Sequence, residues 1–172
     1  AECMQLFVGK AVKDEALMIE QRTGEPVTEE WLARFRDRRN LALQTHVTAI
    51  PNIQPAVQAV HARYDGRIAC ASGADRFKVA LMLRKLGLVH FFEGRIFSGY
   101  ETPRSKPFPD VYLAAAAALS VDPVRCAVIE DTVPGVTAGV AAGATVYAYS
   151  PATTAHVDAA ALRRAGAHHV FT

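Results

Sequence analysis

Two adjacent acidic residues, Glu130 and Asp131, follow the apolar run CAVI at residues 126–129. Burying one carboxylate is costly, and a second carboxylate beside it adds charge repulsion. A bound Mg²⁺ would offset both costs, because this ion prefers carboxylate, water and phosphate oxygens as ligands. The alternative is that both acids cap the helix predicted to start near Pro134, where the helix dipole favours negative charge.

A second candidate lies at Ser72 and Gly73, which follow the apolar run IACA at residues 68–71. A hydroxyl and free backbone N–H groups at the start of a helix can bind a phosphate group. Serine followed by glycine after a strand is also common as a plain turn, so that alternative stays open.

The third candidate is Lys106, in the stretch RSKPFPDVY at residues 104–112. Pro107 favours an extended backbone at the lysine, and the following Pro-Asp pair suits the first turn of a helix. Most surface lysines are simply solvated. A lysine held on a stiff loop between a strand and a helix is better suited to neutralising a phosphate.

Short apolar runs alternate with helical patterns after Pro51, which predicts an α/β fold with a doubly wound, mostly parallel, Rossmann-like sheet. Because ligands of such sheets bind at the carboxyl ends of the strands, we expect Ser72, Lys106 and Glu130 to meet at one edge. The predicted strands are residues 67–72, 94–99, 125–130, 145–150 and 168–172, and the predicted helices are residues 74–87, 110–119, 134–143 and 155–165.

The first part of the chain has a different pattern. Residues 11–21 have helical spacing, and Thr28 is a predicted N-cap with Glu29 and Glu30 in the first turn of the next helix. The sequence therefore predicts a small helical domain at residues 1–50, followed by an α/β core at residues 51–172.

Composition narrows the functional class. The chain has 172 residues, 51% of them hydrophobic, and a formal net charge of +2, which gives no reason to expect nucleic acid or membrane partners. The three cysteines, Cys3, Cys70 and Cys126, lack metal-ligand spacing. Buried free thiols fit a reducing compartment, so we expect a cytoplasmic protein that is a monomer or weak dimer.

Taken in order, the three candidates resemble the motifs of a known family. Ser72 after its apolar strand, Lys106 in SKPFPDVY and the stretch VIEDTVPGVTAGVAAGA at residues 128–144 resemble the second, third and fourth motifs of the haloacid dehalogenase-like hydrolase superfamily. FVGK at residues 7–10 and the helices after it resemble the helical cap of that superfamily. The loop around Lys106 is most similar to the branch of phosphogluconate phosphatases and β-phosphoglucomutases.

This resemblance implies a Mg²⁺-dependent phosphatase that acts on a small sugar or polyol phosphate through an aspartyl-phosphate. It also implies roles for individual residues. Ser72 and Gly73 would bind the phosphoryl group, and Lys106 would bridge the phosphate and the nucleophile. Glu130 and Asp131 would hold Mg²⁺ directly or through water, and two cap residues, Lys10 and Lys13, could face the substrate.

One motif of the family is missing. Its first motif, Asp-x-Asp-x-Thr or Asp-x-Asp-x-Val after the first strand, supplies the nucleophile, yet the only acid before FVGK is Glu2. In such folds the first strand lies between the strands that end at Ser72 and Glu130, and its loss would leave buried backbone groups unpaired. We therefore expect the nucleophile in an N-terminal segment outside residues 1–172.

Three other functions are alternatives to the phosphatase. A phosphomutase would share all the residues named above, and it would differ in protecting its phosphoenzyme from water by closing the cap. A catalytically inactive module that binds a phosphosugar would fit a chain without the nucleophile. A dehalogenase is disfavoured because it has no use for the adjacent pair Glu130 and Asp131.

Overall fold

The computed structural model describes residues 12–151 and 158–172, in which three helices are followed by short strands that alternate with helices. The helices are α1 (Val12–Thr23), α2 (Glu29–His46), α3 (Ile53–Arg63), α4 (Arg76–Lys85), α5 (Asp110–Ala118), α6 (Val133–Ala141) and α7 (Ala159–Arg164). The strands are β1 (Cys70–Ser72), β2 (Ile96–Ser98), β3 (Ala127–Glu130), β4 (Thr145–Tyr149) and β5 (His169–Phe171).

All pairing between these strands is parallel, and it forms two separate sheets. In the first sheet β1 pairs with β2, with Ser72 opposite Ser98. In the second sheet the order is β3, β4, β5, with Glu130 opposite Ala148. The predicted α/β fold with parallel strands is therefore confirmed, and within the described ranges neither β1 nor β3 has a partner on its other side.

A single apolar cluster joins the two sheets. Val111 and Tyr112 of α5 and Ala138 and Ala142 of α6 are buried in it. The strand residues packed against it are Ala71, Phe97 and Val128, which come from both sheets. Helices α5 and α6 thus hold the carboxyl ends of β1 and β3 close to each other, although the two strands share no hydrogen-bonded ladder.

Two further clusters cover the other surfaces of the sheets. Val79 of α4 packs with Leu88, Phe92 and Ile96 on the first sheet. Val136 of α6 and Leu162 of α7 pack against Val146 and Ala148 on the second sheet. By contrast, Ile129 on β3 is 65% exposed, which is unusual for an apolar strand residue of this size.

The helices before Pro51 follow the predicted pattern in part. Thr28 is the N-cap of α2, as predicted, because its Oγ1 accepts a hydrogen bond from Trp31 N at 3.2 Å. The aromatic side chains of this helix form a ring pair, in which Trp31 and Phe35 stack with centroids 5.5 Å apart, and no residue of α2 is buried.

Helix α2 nevertheless contacts the core at the helix that follows Ser72. Arg39 Nη1 lies 3.0 Å from Asp75 Oδ2, and the Arg39 side chain is only 14% exposed. Asp75 also caps α4, because its Oδ1 accepts from Lys78 N at 2.8 Å. The division into a cap at residues 1–50 and a core at residues 51–172 stays a prediction.

Some predicted elements differ from the structure. Helix α3, Ile53–Arg63, is absent from the predicted elements. Its apolar pattern is weak, because only Ile53 and Val57 pack on the cluster of the first sheet. The predicted helix at residues 155–165 begins outside the described residues, and its described part is α7. None of the described helices has the length and apolar character needed to cross a membrane.

Leu162 tests the packing of the second sheet, because its side chain is fully buried between α7 and β4. We expect Leu162→Ala to lower the free energy of unfolding by about 2–5 kcal/mol, since it leaves a cavity in the core. Leu41→Ala is the matched control, because Leu41 is 65% exposed and its loss should change little. Urea denaturation measures both, and equal effects of the two variants would contradict the packing described here.

Candidate active site at the ends of β1 and β3

A buried ion pair lies at the centre of the site. Lys106 Nζ lies 2.5 Å from Glu130 Oε1, and the two side chains are only 9% and 8% exposed. The same ammonium donates to the backbone oxygen of Ala71 at 3.3 Å. Lys106 therefore links the carboxyl end of β1 to the carboxyl end of β3, which brings together all three segments singled out in the sequence.

The loop that carries Lys106 runs from the end of β2 to α5. Helix α5 begins at Asp110, with Pro109 at its N-cap position, as the Pro-Asp pair predicted. The Lys106–Pro107 peptide bond is cis. The loop crosses the carboxyl edge of β1, so the side chain of Lys106 needs to extend only across that edge to reach Glu130.

Glu130 uses both carboxylate oxygens within the protein. Oε1 accepts from Lys106 Nζ and from Tyr112 Oη at 2.9 Å. Oε2 accepts from Asp131 N at 2.8 Å, Thr132 N at 2.9 Å and Thr132 Oγ1 at 3.0 Å. These five donors exceed the roughly four lone-pair sites of a carboxylate, so Glu130 is saturated as it stands.

The electrostatic state of Glu130 follows from these contacts. Burial by itself raises the pKa of the Glu130 carboxyl. The positive charge of Lys106 and the donated hydrogen bonds act in the opposite direction and outweigh it, so the pKa lies below its usual value. Glu130 is therefore held as a carboxylate, and the repulsion expected between two buried acids is relieved by Lys106 rather than by a metal alone.

A glycine makes room for this carboxylate. A Cβ atom built on Gly135 would lie 2.0 Å from Glu130 Cδ and 2.1 Å from Oε1, distances that no pair of nonbonded atoms can adopt. Thr132 Oγ1 also accepts from Gly135 N at 3.1 Å and so caps α6. The glycine in the stretch EDTVPG is thus required by close approach and not by a special backbone conformation.

Sequence reasoning missed Tyr112. Its hydroxyl donates to Glu130, and the Lys106 ammonium lies 4.7 Å from the centroid of its ring. Burial, and then the negative charge of Glu130, raise the pKa of the tyrosine, so it stays a neutral donor. One sequence signal could have indicated a role for Tyr112, because it is the third residue of the helix that follows the Lys106 loop. Its position among apolar residues, however, is that of an ordinary core residue.

Ser72 and Gly73 lie at the same edge. Ser72 Oγ accepts from Ala74 N at 3.1 Å, so its hydroxyl proton is left to donate. Gly99 N donates to the backbone oxygen of Ser72 at 2.7 Å, which ties this turn to the end of β2. A Cβ on Gly73 would meet no atom within 4 Å, so the backbone here borders open space.

Asp131 differs from its neighbour in being exposed. The surrounding protein nevertheless removes part of the solvent around its carboxyl, and this, followed by the negative charge of Glu130, raises the pKa of that group. A cation would stabilise the charged form, and two adjacent carboxylates are the hard oxygen donors that Mg²⁺ prefers. The residues fit this ion with Asp131 as the direct ligand, while the saturated Glu130 would act through water or by giving up a hydrogen bond. Among the described residues no third His, Cys, Asp or Glu completes a cluster.

The remaining predicted residues fall elsewhere. Lys10 and Cys3 lie outside the described residues, and the side chain of Lys13, in the first turn of α1, lies outside them as well. Cys70 and Cys126 are free thiols, but both are half-buried rather than buried as predicted. Burial raises the pKa of the Cys70 thiol, which disfavours the reactive thiolate.

Comparison with known proteins identifies the family to which the chain is similar. A profile described as "Hydrolase: haloacid dehalogenase-like hydrolase" matches residues 5–143. The chain is 35% identical over 76 residues to 6-phosphogluconate phosphatase of Escherichia coli, which covers 44% of this chain and 34% of that protein. It is 34% identical over 87 residues to β-phosphoglucomutase of Bacillus subtilis, which covers 45% of this chain and 38% of that protein.

A solved structure supports the same relationship. A HAD family hydrolase from Deinococcus radiodurans R1, crystallised with bound phosphate and sodium, superposes with a TM-score of 0.75 at 33% identity. The match covers 99% of this chain and 75% of that one. The chain thus spans about a third of the length of the two curated relatives and three quarters of the crystallised hydrolase.

The buried ion pair predicts a specific stability pattern. Lys106→Met leaves the Glu130 charge buried without a counter-charge, so we expect a loss of about 3–5 kcal/mol in the free energy of unfolding. Adding Glu130→Gln removes that charge, and the double variant should lose less than the sum of the two single variants, with a coupling of about 1–3 kcal/mol.

An exposed pair supplies the control for that cycle. Arg34 and Glu30 form an i, i+4 pair on α2 with side chains 67% and 79% exposed. Arg34→Met should cost no more than about 0.5 kcal/mol. Urea denaturation of all four variants checks the pattern, and a Lys106→Met effect no larger than that of Arg34→Met would show that the buried pair is not formed in solution.

Proposed function

The chain belongs to the haloacid dehalogenase-like hydrolases, and from that premise we propose that it acts in a Mg²⁺-dependent phosphomonoester hydrolase. In this proposal the substrate is a small sugar or polyol phosphate, and the reaction passes through an aspartyl-phosphate. The family relates the chain to phosphatases and to phosphomutases.

One observation carries the proposal. The Lys106 ammonium is held in a largely dry position, 3.3 Å from Ala71 O and 2.5 Å from Glu130. Ala71 is followed in β1 by Ser72, whose Oγ accepts from Ala74 N. A fixed charge with restricted access to water interacts strongly with an anion, because it needs no reorganisation when charge develops on a phosphoryl group. A lysine with a purely structural role would not need the open space at Gly73, just after the end of β1.

Each residue has a distinct task in this proposal. Ser72 donates its proton to one phosphoryl oxygen, and the N–H groups near Gly73 face the same group. Lys106 neutralises charge on the phosphoryl oxygens, with Glu130 and Tyr112 fixing the position of its ammonium. Asp131 holds Mg²⁺, which when bound supplies positive charge against the phosphoryl oxygens. The cap residues Lys10 and Lys13 remain proposed substrate contacts.

The nucleophile has a proposed place in the sheet. The facing edges of β1 and β3 carry backbone groups with no strand partner within the described ranges, and Ile129 on β3 is 65% exposed. A further strand between them would pair both edges and cover Ile129. An aspartate at the carboxyl end of that strand would face Lys106, so we place the nucleophile on a strand outside residues 1–172.

The names of two relatives support the proposed substrate class. One relative is named 6-phosphogluconate phosphatase and another β-phosphoglucomutase, and both names refer to a small phosphorylated sugar or sugar acid. Phosphogluconate is therefore the first compound to test. The β-phosphoglucomutase relationship also keeps a phosphomutase as a second candidate, because that activity would use the same residues.

Hydrolysis of a generic aryl phosphate tests the proposal, with a protein that carries the proposed nucleophile strand together with residues 1–172. We expect Mg²⁺-dependent turnover that EDTA abolishes, and a loss of about 10²-fold or more in kcat for Ser72→Ala, because one donor to the developing charge is removed. Asp131→Asn should raise the Mg²⁺ concentration needed for half-maximal rate. Asp65→Asn is the control, since Asp65 is an exposed turn residue at φ 50 that asparagine tolerates.

Three outcomes separate the candidates. Mass spectrometry after borohydride reduction of the quenched reaction would identify the peptide that carries the phosphorylated aspartate. A requirement for a sugar bisphosphate activator would favour the phosphomutase. A folded protein that binds phosphate but shows no turnover with any phosphomonoester would contradict both enzymes and leave a phosphosugar-binding module.

A further inference from the structure

A second ion pair joins two residues that lie on either side of Lys106 in the sequence. Arg104 Nε lies 3.3 Å from Asp110 Oδ1, and Arg104 Nη2 lies 3.0 Å from Asp110 Oδ2. The same guanidinium lies 4.4 Å from the centroid of the Phe108 ring. These three residues, which we term the loop clamp, therefore close a ring of contacts from two residues before Lys106 to four residues after it.

The geometry of the clamp limits the freedom of the loop. A planar guanidinium with two parallel hydrogen bonds to one carboxylate has one defined orientation, which a lysine in its place could not reproduce. The Asp110 side chain is 12% exposed at the start of α5, and the hydrogen bonds from Arg104 lower the pKa of its carboxyl. Asp110 is thus a charged anchor on a rigid helix.

Other contacts close the loop from inside. Phe108 N donates to Ser105 O at 3.0 Å, and Thr102 Oγ1 lies 3.1 Å from Arg104 O. The backbone on both sides of Lys106 is therefore fixed by short-range contacts. Lysine has four rotatable side-chain bonds, so a fixed backbone removes much of the disorder that would otherwise oppose its buried position.

We propose that Arg104 is a positioning residue that sets where the Lys106 ammonium lies. This inference rests on the proposed function for the phosphate-binding role of Lys106. The effect of Arg104 on the position of the Lys106 ammonium does not depend on that role. Arg104 does not need to touch a substrate. It acts by fixing the loop through Asp110 and Phe108, and the loop places Lys106 between Ala71 O and Glu130.

The chain offers a matched control for this proposal. Arg76 and Glu101 form a second two-bond pair, with Nε to Oε1 at 2.7 Å and Nη2 to Oε2 at 2.5 Å. Its side chains are 48% and 45% exposed, close to the 55% of Arg104. This pair joins α4 to the beginning of the same loop, but it does not enclose Lys106.

Acylation of individual lysines measures the position of Lys106 without using turnover. The purified protein is treated with an amine-reactive acetylating reagent, and mass spectrometry follows the rate at Lys106 with exposed Lys85 as the internal reference. Because Lys106 is 9% exposed in the intact site, we expect slow labelling. Arg104→Met should speed it about two- to fivefold, the size expected for an exposed pair, while Arg76→Met leaves it unchanged.

Two further variants and a kinetic readout sharpen the test. Asp110→Asn keeps the shape of the anchor but removes its charge, so it should also speed labelling, and Arg104→Lys should give an intermediate rate. For an aryl phosphate we expect Arg104→Met to lower kcat by a similar factor with little change in KM, because the lysine stabilises charge that develops during transfer.

The outcomes are distinguishable. Unchanged labelling of Lys106 in both Arg104→Met and Asp110→Asn would overturn the proposal. Equal acceleration in Arg76→Met would overturn it as well, since loss of any charge near the loop would then suffice. If the wild-type protein shows no turnover, the proposed function fails, but the labelling rates still decide whether Arg104 positions Lys106.

Discussion

The contact between the Lys106 ammonium and the Glu130 carboxylate is the interaction on which the rest of the site depends. Two opposite charges that are each less than a tenth exposed stabilise a fold only when hydrogen bonds satisfy their remaining groups. Here Tyr112, Thr132 and the backbone at Asp131 supply those bonds, and no buried side-chain nitrogen or oxygen in the described part of the chain lacks a partner.

Several features of the fold follow from this requirement. Helix α5 must bring Tyr112 to the pair, and the first turn of α6 must contain a glycine that leaves room for the carboxylate. The shared apolar cluster of α5 and α6 then holds the ends of β1 and β3 together, even though the two strands are not paired with each other. The helices that build the site therefore also form the contacts that pack the core.

Much of this arrangement could be predicted from local sequence. Ser72 and Glu130 each end a strand, and Lys106 lies on the loop before a helix. Strand and helix ends are specified by nearby apolar runs, prolines and glycines. The partners of these residues could not be predicted in the same way. The contact of Glu130 with Lys106 and Tyr112 depends on side-chain positions that only the packing of α5 against two sheets determines, and the pattern of Tyr112 is that of any core residue.

The measurement that tests the central claim most directly is a crystal structure of the purified protein grown with Mg²⁺ and inorganic phosphate. The account predicts a phosphate oxygen within hydrogen-bond distance of both Lys106 Nζ and Ser72 Oγ, with Mg²⁺ bound to the Asp131 carboxylate. A phosphate bound elsewhere, with the Lys106 ammonium still contacting only Glu130 and Ala71, would show that the buried lysine stabilises the fold and takes no part in binding phosphate.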